Sequence, residues 1–190
     1  DISNGKIELS PAAGVLNYGQ GCFEGTKAFR TANNNVVLFR IDLNAKRMAM
    51  STKRLCIPEM NKSFFINAVK ETVLDNIDYV PPYNNGTLYI RPIVWGTSPA
   101  IGVKPVQEYT FMVFVSPVGS YFKGGVQPLH LKINKDYHRA APNGIGNAKA
   151  IGNYSASLYP LTEAKSKGFD EVLYLDAKSD TFIEELGSAN

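Results

Sequence analysis

Two runs of β-branched and aromatic residues, 88–95 (LYIRPIVW) and 109–116 (YTFMVFVS), constrain this chain more than any other feature. Such stretches suit a pleated, half-buried surface, and the connection between them carries glycine and proline, so they read as two central strands. Upstream, Asp42 reads as the N-cap of a helix that runs to about Leu55, with Leu43, Met48 and Leu55 near helical spacing and Pro58 as its stop. A second helix over residues 63–77 sets Phe65, Ala68, Val69, Val73 and Ile77 on one face. Residues 6–9 and 36–39 are strand candidates, the second apolar throughout and expected to be buried. In residues 22–30, Phe23 and Phe29 flank a polar centre, and Asn33, Asn34 and Asn35 then supply a hairpin turn. Strands interleaved with helices predict an α/β fold.

Glycine density at residues 119–125 (GSYFKGG) has the character of a crossing between domains. It divides the chain into a small N-terminal α/β domain, residues 1–122, and the first part of a second domain, residues 123–190. In the second part, strands are expected over 129–133, 171–175 and 181–185, with a helix over 154–167 that Gly168 stops.

Charge narrows the function classes. Lys plus Arg number 20 and Asp plus Glu 17, a net of +3, with no block of like charges, so no nucleic-acid surface is predicted. The longest apolar run, 109–115, is far short of the roughly 20 residues of a membrane helix. Cys22 and Cys56 lie far apart, and His130 and His138 lack acidic or thiol partners at ligand spacing, which predicts reduced thiols and no metal site. Asp1 opens the chain without an apolar targeting core, and the compartment stays open.

The stretch RAAPNGIGNAKAIGNY, residues 139–154, holds the chemistry. Glycines 144, 146 and 152 are expected to allow positive φ and close approach of backbone to a bound group around Lys149. A lysine kept partly neutral by burial or a neighbouring cation can attack a carbonyl such as the aldehyde of pyridoxal phosphate. The plain alternative is a surface lysine on a loop. A pyridoxal phosphate site also needs a cation for the phosphate and an acid for the pyridine nitrogen; Arg47 and the pair Glu184 and Glu185 are the candidates. Strand alternation lets at most one of the two glutamates face a site. Arg91, a charge inside an apolar strand, either opens onto a site or is paired within the sheet.

NYGQGCFEGTKAF, LFRIDLNAKRM, RLCIP, LYIRP, SPVGSYF, HRAAPNGIGNAKAIGNY and EELGSAN follow one another in the order and at the spacing of a known family. The chain resembles the branched-chain amino-acid aminotransferases of the fold type IV pyridoxal phosphate class, most closely the plant-type members. The resemblance implies a fold type IV architecture, with a small N-terminal α/β domain followed by the start of a β-rich pseudo-barrel cofactor domain. It implies transfer of the amino group between leucine, isoleucine or valine and 2-oxoglutarate, with pyridoxal 5′-phosphate as cofactor.

Position by position, Lys149 matches the Schiff-base lysine and proton carrier, Tyr154 the tyrosine on the cofactor's phenolic oxygen, Glu185 the pyridine-nitrogen carboxylate and Arg47 the phosphate arginine. Tyr89 matches a residue near the substrate α-carboxylate. Arg91, with Tyr18 and Tyr121, matches the receiver of glutamate's side-chain carboxylate, and Phe23 matches an apolar wall. Lys27 matches a neighbouring position of less defined role. The resemblance further implies a homodimer in which each partner lends a loop, no membrane or nucleic-acid partner, and a plastid or mitochondrion for a plant-type enzyme or the cytoplasm otherwise. Family chains continue beyond Asn190, so these residues read as an N-terminal portion. D-amino-acid transaminase and aminodeoxychorismate lyase share the scaffold, but LYIRP and GSYF favour the branched-chain reading; a truncated binding module has no need of Lys149, Glu185 and Arg47 together.

Overall fold

A computed structural model describes residues 5–119 and 128–188. In chain order the elements are α1 (Gly14–Tyr18), β1 (Gly21–Phe23), β2 (Thr26–Arg30), β3 (Val36–Leu38), α2 (Ile41–Arg54), α3 (Lys62–Asp75), β4 (Thr87–Gly96) and β5 (Tyr109–Val118), with a short 3-10 turn at Ile77–Tyr79. After the gap come β6 (Leu131–Asn134), α4 (Ile151–Ser155), α5 (Leu158–Ser166), β7 (Glu171–Leu175) and β8 (Ile183–Leu186). The fold is mixed α/β, as expected.

The first five strands form one antiparallel sheet in which β4 pairs with β1, β2 and β5. Alternation along β4 sends Leu88, Ile90 and Val94 into a core with Cys22, Ala28, Ala45, Met48, Phe65, Val69 and Val73. Burying side chains the size of Met48 or Phe65 stabilises the fold by roughly 2 to 3 kcal/mol each. The other face of β4 is left with Tyr89 and Arg91, and this face carries the site. A three-stranded sheet, β6-β7-β8, holds the second part of the chain. There β6 and β7 run parallel, α5 lies between them in sequence, and Ala164, Val172 and Tyr174 form a smaller core.

Several expectations are corrected. Residues 6–9 form no strand; Ile7, Glu8 and Leu9 lie beside Trp95, Thr110 and Met112 along a surface hollow. Strand β3 is short and sits at the end of the sheet order, with Val37 and Phe39 exposed, because only β2 pairs with it. Of the two long strands β4 is central, but β5 pairs only with β4 among the described residues. Helix α2 begins at Ile41, so Asp42 is in its first turn and pairs with Arg40 at 3.1 Å instead of capping. An acid there still complements the helix dipole. Leu43 faces solvent while Met48 is buried. Asn61 caps α3 through the Phe64 amide, and Ile77 falls in the turn beyond the helix end.

The single helix expected over 154–167 is two, α4 and α5. Pro160 explains the break: it lacks an N–H and crowds the residue before it, so it is tolerated only in a helix's first turn, where a new helix has to start. The last strand starts at Ile183, since the amides of Thr181 and Phe182 are taken by the Asp176 carboxylate. The expected domain crossing at 119–125 lies almost wholly outside the described residues.

Candidate active site

Lys149 is pinned by its backbone. Its N–H donates to Ser51 Oγ on α2 at 2.9 Å, its carbonyl accepts from the Phe23 N–H at 3.1 Å, and the next residue, Ala150, bridges to Cys22. Asn153 holds the preceding turn by donating to the carbonyls of Ile145 and Ala148. Positive φ is not the role of the glycines here: Asn143 takes the left-handed conformation at φ 61°, whereas Gly144, Gly146 and Gly152 do not. Gly146 serves space instead, since a Cβ there would collide with the Ala140 methyl.

From this backbone the half-buried Lys149 amine donates to the Tyr154 hydroxyl at 2.7 Å. It also sits 4.7 Å from the centroid of the Phe23 ring, which packs on Tyr154 at 4.7 Å between centroids. On the far side of Tyr154, the Arg139 guanidinium lies 5.8 Å from the ring centroid and pairs with Glu185 at 2.7 Å. Glu184 is exposed. Glu185, the one the resemblance names, is the half-buried member of the pair.

Arg91 bonds the Tyr89 hydroxyl at 2.6 Å and lies 4.3 Å from the Phe23 centroid. Among the described residues its partners are this hydroxyl and these aromatic rings, with no ion pair to an acid. Lys27 is exposed on β2, opposite Tyr89 in the register. Arg47 makes a two-point ion pair with Glu24, Nε to Oε1 at 2.6 Å and Nη2 to Oε2 at 2.8 Å. The Glu24 carboxylate beside it raises the Arg47 pKa above its usual value, with Tyr154 close enough to add to the effect.

Lys149, Tyr154, Phe23, Tyr89 and Arg91 are thus linked through direct contacts, with Glu185 joined through Arg139 and Arg47 through the residue after Phe23. Tyr18 is engaged elsewhere, accepting the Gly102 N–H at 2.5 Å. Tyr121 lies outside the described residues.

The amino-transferase class IV family model matches residues 21–190. The chain belongs to the class IV aminotransferases. It is 50% identical to branched-chain amino acid aminotransferase 2, chloroplastic, of Humulus lupulus, over 98% of this chain and 46% of the relative. It is likewise 50% identical to the mitochondrial aminotransferase 1 of the same plant, over 98% of this chain and 48% of that one. The chain spans about half the length of these curated relatives. The crystal structure of the T.th. branched-chain amino acid aminotransferase with pyridoxamine 5′-phosphate is similar at TM-score 0.79 and 30% identity, over 96% of this chain and 58% of that one.

Within this class IV site, four residues were not singled out from the sequence: Glu24, Asn44, Ser51 and Arg139. For two of them, Asn44 and Ser51, a signal existed. Asn44, Arg47 and Ser51 follow helical spacing on α2, and their side chains meet Glu24 or the Lys149 backbone. Glu24 itself is fully buried, which a polar letter between Phe23 and Gly25 does not reveal. Among the described residues no helix is long and apolar enough to cross a membrane, and no His, Cys, Asp and Glu cluster could hold a metal. Both cysteines are free thiols.

Proposed function

We propose that the intact protein transfers the amino group between leucine, isoleucine or valine and 2-oxoglutarate, using pyridoxal 5′-phosphate. The observation that carries this reading is the Lys149 amine 2.7 Å from the Tyr154 hydroxyl, with the Phe23 ring against both. The residues present fit the cofactor. They offer an amine on a phenol, a carboxylate, a half-exposed guanidinium and a buried donor, Arg139 Nη1, with no hydrogen-bond partner among the described residues. The solved relative carrying pyridoxamine 5′-phosphate supports the same choice.

When bound, the cofactor supplies an aldehyde for amines and a ring that draws electrons from the substrate's Cα. Arg47 receives its phosphate, Tyr154 its phenolic oxygen and Glu185 its ring nitrogen. Arg139 holds the Glu185 carboxylate in place through their ion pair. Lys149 Nζ would serve as the general base that takes the substrate's Cα proton and hands it on to the cofactor's C4′. Phe23 walls the aliphatic side chain from water. Arg91 and Tyr89 receive carboxylates, so one site takes both an apolar and an acidic side chain; Tyr18, which accepts from Gly102, and Tyr121 join them only as the resemblance implies.

The protein acts as a homodimer, to which the exposed Ile101 and Val103 beside the Tyr18–Gly102 bond lend an apolar loop. Its domains divide at residue 122, in keeping with the two separate sheets. Single-turnover reactions of the intact protein with leucine and with glutamate test the function: each must convert bound cofactor to its amine form. Reaction with a D-amino acid and not with leucine would overturn it.

A further inference from the structure

We propose that Glu24 is a positioning residue that aims Arg47 at the cofactor phosphate. The proposal rests on the reading of Arg47 as phosphate anchor. Glu24 is 0% exposed, yet its two oxygens collect the Nε and Nη2 groups of Arg47, the Asn44 amide at 2.8 Å and the Gly25 N–H at 3.3 Å. A buried carboxylate with so many donors is costly to desolvate, and an apolar pair of similar volume would tie the β1–β2 turn to α2 at least as well. What an apolar pair cannot do is fix a planar fork.

A guanidinium has five N–H donors, and the Glu24 pair occupies one edge of it. The Glu24 side chain is fully enclosed while that of Arg47 is 48% exposed, so the paired edge is inside and the Nη1 edge is turned outward. Held at two points, that outer edge is presented in one orientation to a phosphate. The same turn also sets its distance from the lysine. The Glu24 N–H bonds the Pro92 carbonyl at 2.7 Å, and the neighbouring Phe23 N–H bonds the Lys149 carbonyl.

The test compares the affinity of the intact apoprotein for pyridoxal 5′-phosphate and for pyridoxal, which lacks the phosphate, by absorbance titration. In Glu24→Gln the first should weaken about tenfold or more and the second by less than about twofold, because only the phosphate uses the aimed fork. Asn44→Ala, which removes one donor from the same carboxylate, should move the ratio the same way by about two- to fivefold, and it decides the matter if Glu24→Gln does not fold. In an Arg47→Lys background, Glu24→Gln should leave the ratio where it is. Equal weakening of both ligands, with a lowered Tm, would mean a tether alone and overturn the proposal. Wild-type protein with no preference for the phosphorylated form would overturn the phosphate reading of Arg47 itself.

Discussion

The Arg91 guanidinium lies 4.3 Å from the centroid of the Phe23 ring. On the proposed function, a cation for a carboxylate and an aromatic wall for an aliphatic chain occupy one place, which predicts opposite effects of removing each. Arg91→Ala leaves the glutamate side-chain carboxylate unpaired in a largely apolar pocket, at roughly 2 to 4 kcal/mol in its transition-state binding. The ratio of kcat/KM for leucine to that for glutamate should then rise by about one to three decades. Phe23→Ala should lower that ratio, by roughly 1 to 3 kcal/mol taken from the aliphatic substrates. Equal losses on both substrates with a lowered Tm would return Arg91 to a structural role.

Gly25 offers a subtler probe of the same edge. A Cβ at this position would stand 2.6 Å from the Tyr89 hydroxyl, the group that Arg91 bonds. Gly25→Ala must push Tyr89 aside and loosen Arg91 without removing either residue. Glutamate turnover should fall about tenfold more than leucine turnover, roughly one net hydrogen bond to a charged group. Unchanged discrimination would mean that Tyr89 does not orient Arg91.

Lys149→Ala should lower turnover by several orders of magnitude while leaving Tm within a few degrees, since the backbone bonds to Ser51 and Phe23 remain. Borohydride reduction of the wild type followed by peptide mapping checks the assignment. A pyridoxyl label on any other lysine rejects it.

Much of the fold was legible because it rests on local pattern: the apolar strand β4, the stripe of Phe65, Val69 and Val73 on α3, and the Asn33–Asn35 turn with Asn34 at φ 63°. What escaped was set by partners distant in sequence. Whether residues 109–116 form a central or an edge strand depends on what lies beside them, and the side chains say nothing of that. In the site, Lys149, Tyr154, Phe23, Tyr89 and Arg91 came together while Tyr18 lies against Gly102, whereas Glu24 and Arg139 gain their meaning only from a guanidinium or a ring brought next to them by folding. The expectation for glycines 144, 146 and 152 erred for a physical reason. Glycine relieves crowding as well as permitting positive φ, and at Gly146 the former is what counts.

Cys22 and Cys56 should differ sharply toward thiol reagents. Burial, with the Glu24 carboxylate nearby, pushes the Cys22 thiol up to about 12, so almost none is thiolate at neutral pH. Cys56 is exposed. Iodoacetamide at pH 8 should label the Cys56 peptide within minutes and leave the Cys22 peptide unlabelled until the protein unfolds. Comparable labelling of both in folded protein would contradict the packing of Cys22 against Met48 at 3.6 Å.

Asp176 ties the turn before β8, and hence the placement of Glu185, to pH. Its carboxylate accepts the N–H groups of Phe182, Thr181 and Ser179, which hold it well below the usual carboxylate range. The folded pKa is depressed, so this stabilisation is fully present above the unfolded aspartate value of about 4 and is lost as pH falls below it. Asp176→Asn keeps one acceptor oxygen and loses the charge. It should lower Tm by the same amount between pH 6 and about pH 4.5, and the gap from wild type should begin to narrow as pH falls from about 4 to 3, where the unfolded chain's carboxyl is protonated. A gap of constant size over that range would show that the charge contributes nothing and that the turn is held by its geometry alone.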